Sequence, residues 1–572
     1  MSIDPNVLAK ANSWLNDDAV DTDTKAIIQN WIHTESHELT EAFYKDLDFG
    51  TGGMRGIMGV GSNRINKYTL GQATQGLSNY LKESFSTSIK VAIAYDSRNN
   101  SSTLAREVAK VFAGNGIHVY LFEELRPTPE LSFAVRHLEC QAGIVLTASH
   151  NPKEYNGYKV YWNDGGQLVP PHDKAIIEQV RQVQLSEVFS SNDDAYITLI
   201  GEEVDRAYLD QIQQQSLGNS GKDQLKIVFT PLHGTSVTLM ERALTLCGFK
   251  NVSVVEKQAT PDGNFPTVKS PNPEEAEALS MAVDQAEREK ADIVIGCDPD
   301  TDRVGIAVRD NEGKLVLLNG NQTGAVLFDY MLGTLSDKGK LPSNAFTAIT
   351  IVTSDLMERI AQGYKVEVLR CLTGFKWIAD LIRVNEGAKK FIVGGEESYG
   401  YMIGDFVRDK DAISATVLIA EAAAAALAKG SSYYNELMKI HKEHGYFQEK
   451  LISIVKTGKS GAEEIEKMME NFRSTPPKTL AEMPVIEVRD YQVGIITNTV
   501  TGKTSPTHMP SSNVIQFVNE NGDIATARPS GTEPKIKFYF SVMRPWTTQS
   551  ESEIQAELNR IIGKMTSELG VN

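Results

Sequence analysis

The sequence predicts an α/β protein: three consecutive α/β domains with mixed, mostly parallel sheets, followed by a C-terminal α+β domain. Short apolar runs at 91–95, 227–229 and 391–393 alternate with helical stretches such as 102–115 and 412–428, the pattern of open sheets covered by helices. The chain has 572 residues, too many for one core, and a prior of about 150 residues per domain implies roughly four. Near the end the style changes to alternating strands around an Asn521-Gly522 turn.

Taken in order, the segment up to about Tyr44 reads as a helical extension, to which no chemistry is assigned. A first α/β unit follows, with strands at 91–95, 118–122 and 142–146. A second begins at Ile227 and passes through a helix near 239–246 and a strand at 252–255 to reach the strand 292–296. A third spans about 345–393 in the same order, and its alanine run 422–426 reads as close helix packing. Strands at 514–518 and 535–542 and an amphipathic helix at 551–569 complete the chain. The expected domain boundaries are 1–205, 206–318, 319–450 and 451–572.

Hydrophobic residues make up 41% and charged residues 23%, as in soluble globular domains. With 57 basic and 74 acidic residues the net charge is −17, which argues against general binding to nucleic acid or to an anionic membrane. Any anionic ligand must then be held by locally placed cations. The four cysteines, Cys140, Cys247, Cys297 and Cys371, form no CxxC or CxxH pair, so reduced thiols in a cytoplasmic protein are expected. The start, Met1 to Pro5, lacks a basic region followed by an apolar run, and no long uncharged apolar segment occurs later.

Four loops carry the chemistry. The first, Thr147-Ala148-Ser149-His150-Asn151-Pro152, begins where the buried strand 142–146 stops, so Ser149 is displayed on a loop. A serine hydroxyl needs help to act as a nucleophile. His150 is adjacent, and Lys159 follows an expected Asn156-Gly157 turn. Taken alone, such a cluster is also what any turn requires.

The second loop, Asp298-Pro299-Asp300-Thr301-Asp302-Arg303, lies at the carboxyl end of a strand, where open parallel sheets bind ligands. In an extended loop, residues two apart point the same way, so the three aspartates can converge. Three carboxylates that close repel unless a cation sits among them, and hard oxygen ligands favour Mg²⁺. An EF-hand would need Gly and Glu where Arg303 and Arg309 stand. A phosphatase with an aspartyl nucleophile could begin with strand-Asp-x-Asp, although Asp302 departs from that motif.

In the third loop, Gly394-Gly395-Glu396-Glu397-Ser398-Tyr399-Gly400, glycines free the backbone while Glu396 and Ser398 can meet neighbouring hydroxyls, a natural use being sugar binding. Thr373-Gly374-Phe375-Lys376 adds a glycine-relieved turn with a cation. The fourth loop, Arg528-Pro529-Ser530-Gly531-Thr532-Glu533-Pro534-Lys535, offers an arginine fork, hydroxyls and backbone N–H groups to one anion; a hairpin turn rich in Gly and Pro has the same composition.

In order and wording the four loops resemble those of the α-D-phosphohexomutase superfamily: a phosphoserine loop, a metal loop, a sugar loop and a phosphate loop, one per domain. The resemblance covers nearly the whole chain. It extends to 49–56 (Phe-Gly-Thr-Gly-Gly-Met-Arg-Gly) and 230–234 (Thr-Pro-Leu-His-Gly). Gly-Glu-Glu-Ser-Tyr-Gly is closer to the phosphoglucomutase and phosphopentomutase branch than to the Gly-Glu-Met-Ser-Gly form of phosphomannomutases.

The resemblance implies four domains around a central active-site cleft and a phosphoryl group on Ser149, with one Mg²⁺ held by Asp298, Asp300, Asp302 and the Ser149 position. The expected reaction moves a phosphoryl group between the 1- and 6-positions of glucose phosphate, with glucose 1,6-bisphosphate as intermediate and activator. Lys159 is the expected proton carrier, a role that requires a lowered pKa, with His150 and Arg55 supporting the phosphoserine. Glu396, Ser398, Thr373, Gly374 and Arg303 are expected around the sugar, Arg303 also neutralising the phosphoserine region. Arg528, Ser530, Gly531, Thr532 and Lys535 are expected to grip the distal phosphate, and Lys376 is a further candidate. The expected partner is a small sugar phosphate, with no nucleic acid or membrane, and the expected state a monomer or weak dimer. Alternatives are a phosphopentomutase acting on ribose or deoxyribose 1-phosphate, a Mg²⁺-dependent sugar phosphatase with Asp298 as nucleophile, and a catalytically silent sugar-phosphate-binding protein.

Overall fold

The apolar run at 91–95 becomes a central strand of a six-stranded sheet in the computed structural model, which describes residues 3–50, 52–456, 458–530 and 535–571. The chain divides into two units, Met1–Thr323 with Phe375–Tyr433, and Gly324–Gly374 with Tyr434–Asn572.

In the first unit, strands β1 (Gly53–Ile57), β2 (Lys90–Tyr95), β3 (His118–Phe122), β4 (Ala142–Leu146), β5 (Tyr155–Trp162) and β6 (Ile197–Ile200) form a sheet in the order β1-β5-β4-β2-β3-β6. β4, β2, β3 and β6 run parallel, while β5 is antiparallel to both β4 and β1. Every residue of β4 is buried, which is why it reads as an unbroken apolar run rather than an alternating one.

The Asn156-Gly157 pair is not a turn. It lies inside β5, with Gly157 opposite Arg55 of β1. A Cβ on Gly157 would come within 2.5 Å of the Thr147 carbonyl and 2.7 Å of the Met54 carbonyl. The glycine is there because neighbouring backbones approach too closely for any side chain.

Helices α1 (Pro5–Asn16), α2 (Thr22–His33) and α3 (His37–Phe43) make up the N-terminal extension, with a small core of Trp14, Ile28, Leu39 and Phe43. The extension is tied to α4 (Lys67–Ser84): Trp14 meets the Tyr68 ring edge-on, and Asp21 accepts the Tyr68 hydroxyl at 2.6 Å and pairs with Lys67 at 2.8 Å. Asn66 starts α4 with a capping box shared with Thr69. Together with α5 (Ser101–Gly114), α4 contributes Leu70, Leu77, Val108 and Phe112 to the core beside β2.

Strands β7 (Lys226–Thr230), β8 (Asn251–Val254), β9 (Ile293–Cys297), β10 (Val304–Arg309) and β11 (Leu315–Leu318) form a second sheet in the order β11-β10-β9-β7-β8. β7 is parallel to β8 and β9; β10 is antiparallel to β9 and β11. Asp298 is therefore the first residue past the carboxyl end of a wholly buried strand.

The third alternating segment contributes to both units. β12 (Ala345–Thr350) and β13 (Glu367–Cys371) pair in parallel in the second unit, and β14 (Lys390–Gly395) and β15 (Tyr401–Ile403) pair antiparallel in the first. The alanine-rich helix Ala412–Ala428 is buried along nearly its whole length. A Cβ at Gly221 would lie 2.2 Å from the Ala424 carbonyl, so small residues are used for close approach. Among the described residues, no single helix is long and apolar enough to cross a membrane.

The second unit ends in an antiparallel sheet built from β16 (Tyr446–Val455), β17 (Thr479–Leu480), β18 (Met483–Asp490), β19 (Ile495–Asn498), β20 (Thr504–Pro506), β21 (Ile515–Asn519), β22 (Ile524–Pro529) and β23 (Lys535–Arg544). Its main order is β16-β23-β22-β21-β18-β19-β20, and helix Glu551–Glu568 buries Ile554, Leu558 and Ile562 in its core.

In this unit His441 is buried and stacked on Tyr446, with ring centroids 4.4 Å apart. Burial pushes its imidazole down to about 4, against a small opposing effect of the Gly445 carbonyl. The unfolded chain, with an ordinary histidine near 6.5, then binds a proton that the folded state refuses, so stability is full above that value and falls as pH drops towards 4. By about pH 5 this group should remove roughly 2 kcal/mol of stability. Chemical denaturation of the wild type and His441→Phe at neutral pH and near pH 5 checks this: the variant should lose less stability on acidification.

Candidate active site

Ser149 stands three residues beyond β4 with φ at +53°, a left-handed conformation uncommon for a residue with a side chain. Its backbone N–H donates to Thr147 Oγ1 at 2.9 Å. Its hydroxyl donates to Asp298 Oδ2 at 2.8 Å and lies 3.1 Å from His150 Nδ1. The loop is also held by Arg55 of β1, which donates to Asn151 Oδ1 at 3.1 Å, and by the buried guanidinium of Arg98.

The aspartate loop is a tight turn rather than an extended stretch. Thr301 has φ at +60°, and its N–H returns to the Asp298 carbonyl at 3.0 Å. Asp298 Oδ1 accepts the N–H groups of Asp302 and Arg303 at 3.1 and 3.0 Å, while Oδ2 faces Ser149. Convergence thus arises from a carboxylate folding its own loop around itself. One oxygen from each of Asp298, Asp300 and Asp302 lies within 4.8 Å of the others, and all three residues are buried.

The 230–234 motif explains how that turn is seated. A Cβ on Gly234 would meet Pro299 Cα at 2.5 Å, and Thr235 donates its N–H to the Pro299 carbonyl at 2.8 Å. The hydroxyls of Thr235 and Thr301 are 2.7 Å apart. Thr128 caps the opposite side, donating Oγ1–H to Asp300 Oδ2 at 3.1 Å.

Two carboxylates about 4 Å apart at an effective dielectric of about 20 repel by about 4 kcal/mol, so the turn depends on cations from elsewhere in the chain. Lys159 of β5 donates to Asp300 Oδ2 at 2.7 Å and Asp302 Oδ2 at 3.1 Å. Lys410 Nζ lies 3.2 Å from both Asp302 and Asp409, over the Phe375 ring. Arg303 pairs with Glu274 at 2.6 Å and lies 3.6 Å from Asp302. Burial and then repulsion from Asp300 and Asp302 push the Asp298 carboxyl well above its usual range. Burial would also raise Asp302, but Lys159, Lys410 and Arg303 reverse this and hold it ionised.

Lys159 does not show the lowered pKa required of a base. Burial pulls its ammonium down, and Asp300 and Asp302 more than compensate, leaving it above the ordinary lysine value. The Arg303 guanidinium meets Glu274 and Asp302, and the charges of Asp298 and Glu396 also act on it.

Glu396 follows β14 and is buried, its N–H donating to the Gly400 carbonyl at 2.9 Å. Its charge acts on both Arg303 and Lys410. Ser398 lies half-buried on the same turn, where Tyr399 has φ at +63° and its carbonyl accepts the Val304 N–H at 3.1 Å. Three of the four loops, those of Ser149, Asp298 and Glu396, thus belong to the first unit.

Thr373 and Gly374 belong to the second unit; Lys376, in the first, is half-buried over the Trp377 ring, and burial lowers its ammonium. Arg528 lies on β22 opposite Lys537, and Ser530 N–H donates to the Lys535 carbonyl at 2.7 Å. Gly531 and Thr532 lie outside the described residues. Lys410, Glu274, Thr128 and Arg98 join the constellation without belonging to any of the four loops. The signal for two of them was a charge group bordering an apolar element: Asp96-Ser97-Arg98 after β2, and Arg408-Asp409-Lys410-Asp411 before helix Ala412–Ala428.

The donor set fits a small hard divalent cation. Asp300 Oδ1 and Asp302 Oδ1 are buried without a hydrogen-bond partner, and all the convergent ligands are carboxylate oxygens.

The alpha/beta/alpha domains I, II and III of phosphoglucomutase/phosphomannomutase match residues 46–187, 206–313 and 319–441. Phosphoglucomutase from Staphylococcus haemolyticus is 37% identical over 533 residues, covering 90% of this chain and 96% of its own. That from Staphylococcus aureus strain MRSA252 is 39% identical over 525 residues, covering 91% and 94%. Among solved structures, Paramecium parafusin, a phosphoglucomutase in its open form, superposes with a TM-score of 0.66 at 17% identity over 92% of this chain and 96% of its own. A phosphoglucomutase/phosphomannomutase family protein from Burkholderia thailandensis gives 0.63 at 18% identity over 91% and 97%. At such identities the structures speak for the fold alone. The chain belongs to the phosphoglucomutase/phosphomannomutase family and is a phosphosugar mutase, an isomerase that acts by phosphoryl transfer.

Proposed function

We propose that this mutase interconverts glucose 1-phosphate and glucose 6-phosphate through a phosphoryl group carried on Ser149 and a glucose 1,6-bisphosphate intermediate. The observation that carries this reading is the 2.8 Å contact between Ser149 Oγ, in its left-handed turn, and Asp298 of the aspartate cluster. The phosphoglucomutase relatives at 37–39% identity support glucose as the sugar.

Asp298, Asp300 and Asp302 would hold Mg²⁺, which when bound supplies positive charge against a phosphate oxygen. The chain's own residues do the rest. As the Ser149 Oγ–P bond breaks, a new bond forms between phosphorus and a sugar hydroxyl oxygen, and the hydroxyl proton must leave. Lys159, at the edge of the cluster, is assigned that proton, which it can take only in the form released from Asp300 and Asp302, whose charges otherwise keep its ammonium protonated; His150 lies beside Oγ and Arg55 braces the loop through Asn151. Glu396 and Ser398 would hold ring hydroxyls in either orientation; Thr373 and Gly374 for the sugar, and Arg528, Ser530, Gly531, Thr532 and Lys535 for the phosphate that does not react, are the candidates that the family resemblance assigns. The bisphosphate then returns its other phosphoryl group to Ser149, so no phosphate is lost. All four cysteines are free and buried, which suits a reducing cytoplasm.

Ser149→Ala should lower the interconversion rate by about 10⁴-fold or more while leaving the circular dichroism spectrum and melting temperature unchanged. A coupled assay for glucose 6-phosphate reads this, and undiminished turnover overturns the assignment. A magnesium-dependent phosphatase would instead release inorganic phosphate in step with substrate loss.

Asp300→Asn should weaken Mg²⁺ binding in isothermal titration calorimetry and lower kcat by about 100-fold to 1,000-fold, the scale of losing a few kcal/mol of charge stabilisation. Unchanged Mg²⁺ affinity would remove the aspartate cluster from the metal role.

Rates on glucose, mannose, ribose and deoxyribose 1-phosphates, with Mg²⁺ and bisphosphate present, should favour glucose. Faster turnover of ribose 1-phosphate would make the chain a phosphopentomutase.

A further inference from the structure

Arg98 follows β2 in the run Asp96-Ser97-Arg98, outside the four loops, and its side chain is fully buried. Its guanidinium donates to the carbonyl oxygens of Ser149 at 2.7 Å, Pro152 at 2.8 Å and Tyr155 at 3.0 Å, and to that of Asn151. These four acceptors span the loop from the serine to the first residue of β5. Carbonyls drawn together in this way need donors, and one side chain reaches all four, the Pro152 carbonyl also accepting the Tyr155 N–H at 3.0 Å.

The guanidinium is itself anchored. Arg98 Nε lies 3.3 Å from Asp96 Oδ2, and Asp96 Oδ1 accepts the Arg98 N–H at 2.9 Å and the Ser101 hydroxyl at 2.7 Å. The Phe265 ring covers one face, 5.1 Å from the guanidinium carbon. A planar fork with five donors can reach acceptors on two edges at once, whereas an ammonium concentrates three donors at one point.

We propose that Arg98 is a positioning residue of the serine loop: by drawing four carbonyls onto one fixed guanidinium, it holds Ser149 in its left-handed turn with Oγ at Asp298. The proposal rests on the reading of Ser149 as the phosphoryl carrier. Held this way, the serine does not have to find its geometry during transfer, and displacement of a reacting oxygen by about 1 Å can lower a rate about 100-fold.

The test compares wild type, Arg98→Lys, Arg98→Ala, Asp96→Asn and Ser149→Ala. Three quantities are measured: kcat and KM for glucose 1-phosphate, the rate at which glucose 1,6-bisphosphate loads one phosphoryl group on the protein by intact mass, and the melting temperature. Arg98→Lys should lose about 100-fold in kcat and in loading rate, with KM within about 3-fold of wild type and a folded, cooperative melt. Methylguanidinium should restore part of the loading rate of Arg98→Ala. Unchanged kcat and loading in folded Arg98→Lys overturns the proposal, as does a change confined to KM. Failure of both Arg98→Lys and Asp96→Asn to fold also overturns it, because the pair then serves the fold rather than the loop. Loading of wild type but not Ser149→Ala sustains the serine reading whatever Arg98 does; absence of loading in wild type sinks that reading and this proposal with it.

Discussion

Three carboxylates in one buried turn set the terms for the rest of the first unit. β9 is apolar throughout and supplies no counter-charge, and the turn is too short to hold enough cations of its own. Compensation has to come across the fold: Lys159 from β5 and Lys410 from the approach to helix Ala412–Ala428, with Arg303 the single local contribution. Asp302 therefore receives charge from both the first and the third α/β segments. The packing of these segments and the chemistry of the site are one problem, because separating them would leave charge uncompensated in the interior.

A second constraint is backbone conformation. Ser149, Thr301 and Tyr399 all adopt left-handed φ values on loops that follow or join strands, as do Leu232 and His233 in the motif that seats the aspartate turn. Such conformations persist only where surrounding contacts over-determine them. His233 is held through both ring nitrogens, 2.9 Å from the Thr260 carbonyl and 2.9 Å from Thr267 Oγ1. Ser149 has Thr147 and Arg98. Both of these residues are therefore fixed by polar anchors rather than by loop sequence alone.

What the sequence disclosed follows from what is local. β4 and β9 are apolar runs ended abruptly by polar residues, so Ser149 and Asp298 could be placed at their carboxyl ends from pattern alone. Asn156-Gly157 misled because a pair that favours turns was selected here for backbone clearance against Thr147 and Met54, which are distant in sequence. The extended aspartate loop failed for a similar reason: Asp298 caps its own turn, and a carboxylate's choice between backbone N–H groups and a distant ligand is not written in residue spacing. Arg98 and Lys410 lay outside any loop motif because their partners are backbone carbonyls and carboxylates brought close only by tertiary structure.

A chain of net charge −17 that handles phosphate must concentrate positive charge without leaving it bare. In this site the cations are already engaged: Arg98 with Asp96, Arg303 with Glu274, Lys410 with Asp409 and Lys159 with Asp300. On the proposed reading, a phosphate ester entering such a network would exchange one set of oxygens for another instead of neutralising isolated charges. Differential stabilisation of the transferring group then depends on which of these pairs yield and which stay fixed. The pairs made by fully buried partners, Arg98 with Asp96 above all, are the costly ones to break and so act as frame. Lys159 and Lys410, each shared among two carboxylates, can shift partners at smaller cost, which places adaptability beside the aspartates and rigidity behind the serine.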